Sequence, residues 1–274
     1  MTTATLPAAP PAAARFRDAY GAHRAADGHG HSGGDLLALP YLPSGPLARE
    51  WAVRCRTYEA FVRRVLRPAA AQAGRPLDVL DLGAGNGWLC WRAGLEGHRA
   101  LATDVRDDAV DGLGAADGYL RERPGLFGRA AASFDALPLR DRRFDVVALN
   151  ASLHYALDLP SVLREAARVA RRGGWIAVMD SPFYASDRDG RAMVAEKRAG
   201  AAARYGDRAD ALLAMPFAEY LTRERLASAS ARPGLAWRRH RVRYPLWYEL
   251  RPLSARLRGR RPPSRFDLWV SRVP

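Results

Sequence analysis

Gly83, Gly85 and Gly87 stand at alternate positions directly after the apolar run Leu77-Asp78-Val79-Leu80-Asp81-Leu82. Without Cβ atoms the backbone can turn sharply there and come within contact distance of a ligand. The stretch from Trp88 to Ala93 then restarts as a helix, so strand, turn and helix N-terminus together make a cofactor cradle. A dinucleotide site wants G-x-G-x-x-G, whereas this chain reads Gly83-Ala84-Gly85-Asn86-Gly87 with Asp81 just ahead of it. A carboxylate in that place repels a pyrophosphate and suits a ligand that carries an ammonium group. Asp104 closes the next apolar stretch, Arg99 to Thr103, where an acidic side chain can accept both hydroxyls of a ribose. Asp107 and Asp108 are better placed to cap a helix start.

Positioning these groups takes a sheet. Leu77 to Leu82 is apolar enough for a central strand covered on both faces. Strand signals recur at Arg99–Thr103, Arg129–Phe134, Phe144–Leu149 and Trp175–Met179, and helical stretches separate them. Asp158 and Pro160 start a helix from Ser161 to Arg172 with Val162, Leu163, Ala166 and Val169 inward, and Gly173-Gly174 ends it. The third strand leads into Phe134-Asp135-Ala136-Leu137-Pro138, and the fourth into Asn150-Ala151-Ser152-Leu153-His154-Tyr155.

With this order, residues 77–180 resemble the class I S-adenosylmethionine-dependent methyltransferases, whose first motif reads D/E-x-G-x-G-x-G. The resemblance implies an α/β fold, a Rossmann-like, seven-stranded, mostly parallel sheet with helices on both faces, plus an N-terminal helical cap. It implies S-adenosyl-L-methionine as cofactor, its amino acid part held by Asp81, Gly83, Ala84, Gly85, Asn86 and Gly87. Asp104 and Val105 would hold the ribose, Phe134, Asp135 and Ala136 the adenine, and Asn150 would face the cofactor from the fourth strand. The implied chemistry is in-line displacement of an activated methyl by a nucleophilic oxygen, nitrogen or carbon of a small acceptor, with no metal required. His154, followed by Tyr155, is the candidate base, and a structural role is the alternative for this lone histidine. Tyr184 and Glu219 are further candidates for the same space.

The chain has 274 residues and a formal charge of +14. Basic residues are nearly all arginine, strewn over every helix, with Lys197 the single lysine. Solvated faces explain that pattern better than a nucleic-acid groove, and Asn150-Ala151-Ser152-Leu153 is unlike the N/D-P-P-Y/F of the family's base methylases. Methylation of RNA or protein, or a non-catalytic cofactor-binding or partner-binding domain, are the alternatives. No apolar run reaches the ~20 residues of a membrane helix, and Cys55 and Cys90 read as reduced thiols, so a cytoplasmic monomer or homodimer is expected.

Three regions follow. Residues 1–40 read as a flexible arm, including a polar loop around His23, His29 and His31. Residues 41–76 read as a helical cap, with an amphipathic helix over 47–67 bounded by Pro46 and Pro68. Residues 77–274 read as the methyltransferase domain, with a helix over 187–215, a short helix over 222–230 and a closing strand pair over 235–244 and 266–273. Between those strands, the Arg- and aromatic-rich insert 245–263 suits a pocket cap or dimer interface, or else peripheral contact with an anionic membrane or acidic partner.

Overall fold

The structure, a computed structural model, describes residues 11–274. Its centre is a seven-stranded sheet in the order β3-β2-β1-β4-β5-β7-β6. The strands are β1 (Asp78–Leu82), β2 (Arg99–Asp104), β3 (Phe127–Ala131), β4 (Phe144–Asn150), β5 (Ala170–Met179), β6 (Arg238–His240) and β7 (Leu268–Arg272). β1 to β5 pair in parallel, and β7 runs antiparallel to both β5 and β6. Strand order reverses between β1 and β4, so a crevice opens beyond their carboxyl ends.

Alternation along the strands divides the core. Val79, Val146, Ala148, Ala177 and Met179 face one helical layer, while Leu80, Leu82, Val147, Leu149, Ile176 and Val178 face the other. In chain order the helices are α1 (Pro11–Ala26), α2 (Gly33–Ala38), α3 (Ala48–Phe61), α4 (Arg67–Ala73), α5 (Trp88–Leu95), α6 (Asp117–Glu122), α7 (Leu159–Val169), α8 (Asp187–Ala199), α9 (Ala201–Tyr205), α10 (Ala209–Leu213), α11 (Arg223–Ala229), α12 (Leu246–Glu249) and α13 (Arg251–Leu257). Trp51, Tyr58 and Phe61 of α3 join the first layer with α5, and α7 and α11 supply Val162, Leu163 and Leu226 to the second.

Several expectations are corrected. Residues 11–40 are not an irregular arm: α1 and α2 occupy most of them, and the part of that expectation covering residues 1–10 lies outside the described residues. α1 is held because Ala19, with Phe16 and Tyr20 against it, packs on Ala201, Tyr205 and Leu212. The histidines are not loose either. His23 pairs with Asp27 at 3.4 Å, His29 is buried, and His31 Nε2 accepts the Trp51 indole N–H at 2.9 Å. Pro68 does not end the helix begun at Ala48. A π-helical turn, Val62–Leu66, precedes it, and α4 continues to Gly74, whose φ of 63° closes the segment. Proline has no N–H to give an i→i−4 bond, and a widened turn ahead of it accommodates that loss. The helical stretch 187–215 is broken into α8, α9 and α10, and the third strand starts earlier than expected.

Residues 245–263 fold as α12 and α13, with Tyr248 buried and the Arg251 guanidinium 3.9 Å from its ring centre. None of these residues lines the large cavity, so the insert is no roof over it. No helix among the described residues is long and apolar enough to cross a membrane.

Candidate active site

The glycine loop is fixed from below before any ligand arrives. Gly83 and Ala84 both donate backbone N–H bonds to the Thr103 carbonyl, at 2.8 and 2.9 Å. Gly83 has φ 73°, and a Cβ there would lie 2.5 Å from Ser152 Cβ, so conformation and crowding both demand glycine. Ser152 Oγ donates to the Leu82 carbonyl at 2.5 Å, tying the turn after β4 to the end of β1. Asn86 Oδ1 accepts from the Trp88 N–H at 3.1 Å at the first turn of α5.

Asp104 is held by the same loop. Its Oδ2 accepts from Gly85 N–H at 2.8 Å and its Oδ1 from Arg106 N–H at 2.9 Å. Each carboxylate oxygen keeps acceptor capacity for another donor. Burial raises its pKa, and those N–H bonds pull the other way. Asp107 and Asp108 are expected to cap a helix start; Asp108 instead caps a non-helical turn, its Oδ1 accepting from the N–H groups of Val110 and Asp111.

A cavity of about 620 Å³ opens over this loop. Of the residues singled out from the sequence, Gly83, Ala84, Gly85, Asn86, Asp104, Val105, Phe134, Asp135, Asn150, His154 and Tyr155 line it. Asp81, Gly87 and Ala136 do not. Gly87 sits at the start of α5 with φ 81°, and Ala136 N–H is turned back to the Ser133 carbonyl. Asp81 lies beneath the loop, fully buried, both carboxylate oxygens without a hydrogen-bond partner, and its pKa is raised well above the ordinary value by burial and by Asp104. Tyr184 and Glu219 are also outside the wall: Tyr184 Oη accepts from Arg261, and Glu219 pairs with Lys197 at 2.8 Å.

Much of the rest of the cavity wall is aromatic. Phe16 and Tyr20 of α1, Trp51 of α3, Tyr155, Phe217 and Phe266 contribute to it. Tyr20 and Tyr155 share a hydroxyl–hydroxyl bond of 2.9 Å, and Arg24 Nε donates to Asp111 Oδ2 at 2.6 Å, so α1 is tied to the cavity wall at two points. His154 Nδ1 lies 3.3 Å from Ser181 Oγ, and burial pushes the imidazole down to about 3. It is therefore neutral at physiological pH and a weak proton acceptor. Burial pushes the Tyr155 phenol well up. Asp180, at the end of β5, also lines the cavity, its carboxyl raised by burial to about 6.

Residues 80–178 match the family model described as a methyltransferase domain. This chain carries a methyltransferase domain. Malonyl-[acyl-carrier protein] O-methyltransferase from Erwinia pyrifoliae is 37% identical over 108 residues, 39% of this chain, and the match spans 38% of that relative's length. Among solved structures, geranyl diphosphate C-methyltransferase from Streptomyces coelicolor superposes with a TM-score of 0.59 at 15% identity, covering 98% of this chain and 100% of the other. The 1,6-didemethyltoxoflavin-N1-methyltransferase from Burkholderia thailandensis gives 0.54 at 18% identity, covering 99% and 94%. At these identities the two structures share the fold of the methyltransferase domain.

Sequence reasoning about the methyltransferase domain missed Tyr20, Arg24, Arg54, Asp111 and Asp180 as parts of the site. The first three come from helices outside the matched segment, and only tertiary packing brings them to the loop. Asp180 carried a signal that went unused, since it ends a strand beside Asn150, where the sheet delivers side chains to the crevice.

Proposed function

We propose that this chain transfers a methyl group from S-adenosylmethionine to a nucleophilic oxygen, nitrogen or carbon atom of a small-molecule acceptor held in the cavity. The observation that carries this reading is that one cavity wall joins Gly83, Gly85, Asp104 and Asp135 to the rings of Phe16, Tyr20, Trp51, Tyr155, Phe217 and Phe266. The residues present fit the cofactor. Asp104 offers two oxygens already oriented by N–H bonds, suited to a ribose diol. Phe134 and Asp135 would take the adenine, and Gly83 leaves the space a Cβ would fill. The two solved neighbours are described as holding S-adenosylhomocysteine.

When bound, the cofactor supplies a methyl group already activated on a sulfonium. The chain's own contribution would be to hold acceptor and cofactor in one cavity, part of whose wall α1 supplies through Phe16 and Tyr20. A concave cavity walled in part by α1 suits a metabolite better than RNA or a protein side chain, which need a longer groove. The acceptors named for relatives are a malonyl-carrier protein, geranyl diphosphate and 1,6-didemethyltoxoflavin, which leaves the methylated atom open among oxygen, carbon and nitrogen. In this reading α1 to α4 form the cap and residues 77–274 the catalytic domain, in a cytoplasmic setting that suits free thiols at Cys55 and Cys90.

Calorimetry of the full chain with S-adenosylhomocysteine tests the reading. Binding in the micromolar range, lost in Asp104→Ala, is expected; absence of binding by the folded wild type sinks it.

A further inference from the structure

Two strand ends leave the sheet side by side in a conformation that side-chain-bearing residues avoid. Ala151, after β4, has φ 55°, and Asp180, after β5, has φ 50°. Ala151 N–H donates to the Met179 carbonyl at 2.9 Å, which locks the two exits together. Left-handed backbone outside glycine is costly and persists where surrounding structure over-determines it, most often at functional sites. Here it sets the Asp180 carboxylate against α3, near Arg54 and the Thr57 hydroxyl. Asp180 is 8% exposed, and its buried Oδ1 has no hydrogen-bond partner. A buried acceptor left unpaired is destabilising unless a ligand supplies the donor.

The surroundings define what that ligand is. Asp180 and Arg54 line the same cavity as Phe16, Trp51, Phe217 and Phe266, with the Arg54 guanidinium 5.1 Å from the Trp51 ring centre. Rings in a cavity wall suit a flat, apolar body, and a carboxylate in the same wall suits a donor on its edge. We propose that Asp180 anchors the acceptor, a planar aromatic compound presenting an O–H or N–H to the carboxylate, and receives the proton that methyl transfer releases. The inference rests on the methyltransferase reading above. In the step, the acceptor atom forms its bond to the methyl carbon, the carbon–sulfur bond breaks with its electron pair going to sulfur, and the acceptor's proton passes to Asp180.

Asp180 suits this task better than His154. Its raised carboxyl is ionised yet basic near neutrality, whereas the histidine is too weak a base. The charged and titratable groups facing Asp180 are Arg54 and Glu50 from α3, with the phenols of Tyr244 and Tyr248 on the other side. Burial is the largest cause of its raised pKa and Glu50 adds to it, while Arg54 and a bond from the Thr57 hydroxyl lower it, so the free acceptor is the unpartnered Oδ1.

The test uses the full chain saturated with S-adenosylhomocysteine and two probe pairs that differ only in the donor: 2-naphthol with 2-methoxynaphthalene, and indole with 1-methylindole. Binding is read by ligand-observed NMR at pH 7.5. The donor member of at least one pair should bind about tenfold more tightly than its methylated partner. Asp180→Ala should erase that preference, and the isosteric Asp180→Asn should shrink it, with S-adenosylhomocysteine affinity retained in both as evidence of folding. Equal affinity within both pairs, no binding of either donor at millimolar concentration, or a preference that survives in Asp180→Ala overturns the proposal. Failure of S-adenosylhomocysteine itself to bind overturns the underlying methyltransferase reading instead.

Discussion

At the scale of single residues, the site depends on positions where the side chain, or its absence, has one acceptable form. Gly83→Ala adds a methyl 2.5 Å from Ser152 Cβ at φ 73°, a clash and a strained backbone at once. The expected loss is about 2–4 kcal/mol of folding stability, read from urea midpoints, together with weakened S-adenosylhomocysteine binding. Gly97, with φ 83° and open space around it, makes the comparison: Gly97→Ala should lose only the smaller backbone cost. Asp104→Asn keeps the shape but loses the charge and turns one acceptor into a donor facing an N–H, so S-adenosylhomocysteine affinity should fall about 10- to 100-fold by calorimetry. Gly83 and Asp104 were legible in the sequence because both belong to one local strand–turn–helix–strand pattern. Asp81 was legible as a carboxylate suited to an ammonium, but its depth below the loop was not. Strand alternation, which sends it to the same face as Val79, decides that.

At the scale of elements, the strands could be read because a central parallel strand is apolar nearly throughout, as in Val79–Leu82 and Val146–Leu149. α1 could not, since its sequence is rich in alanine and its apolar face is only Phe16, Ala19 and Tyr20, which gain meaning from α9 and α10. The same marginal packing suits a cover that must open to admit ligands. Two polar ties, Tyr20–Tyr155 and Arg24–Asp111, hold it closed. Tyr20→Phe removes the first tie and keeps the ring packing. S-adenosylhomocysteine should then both associate and dissociate about two- to tenfold faster in stopped-flow experiments, with affinity changing less. An unchanged dissociation rate would show that α1 does not close over the site.

At the scale of the whole molecule, the large positive charge is partly spent within the fold. Arg99, Arg143 and Arg171 all reach Asp78 within 3 Å, at 2.7, 2.6 and 2.9 Å, and Arg75 and Arg171 pair with Asp145. Burial alone would raise these two carboxyls, but the guanidiniums outweigh it and hold both below the ordinary range. Their contribution is present above a carboxyl's unfolded pKa near 4 and is lost only as pH falls through the lowered folded values. Between pH 7 and 5 other groups therefore decide how stability changes, and the cavity holds two of opposite sign. His154, lowered by burial to about 3, stays neutral in the fold while the unfolded chain takes up a proton below about 6.5, so acid costs stability. Asp180, raised by burial to about 6, takes up its proton in the fold before the unfolded chain does, so acid restores stability. From pH 7 to 5 the histidine removes about 2 kcal/mol and the aspartate returns about 1 kcal/mol. Replacing each group in turn separates them, because every other titration is common to the proteins compared. Relative to wild type, His154→Gln should gain about 2 kcal/mol between pH 7 and 5, and Asp180→Asn should lose about 1 kcal/mol. Urea unfolding at the two pH values measures both; parallel behaviour of all three proteins would show that neither group is desolvated in the wall of the cavity.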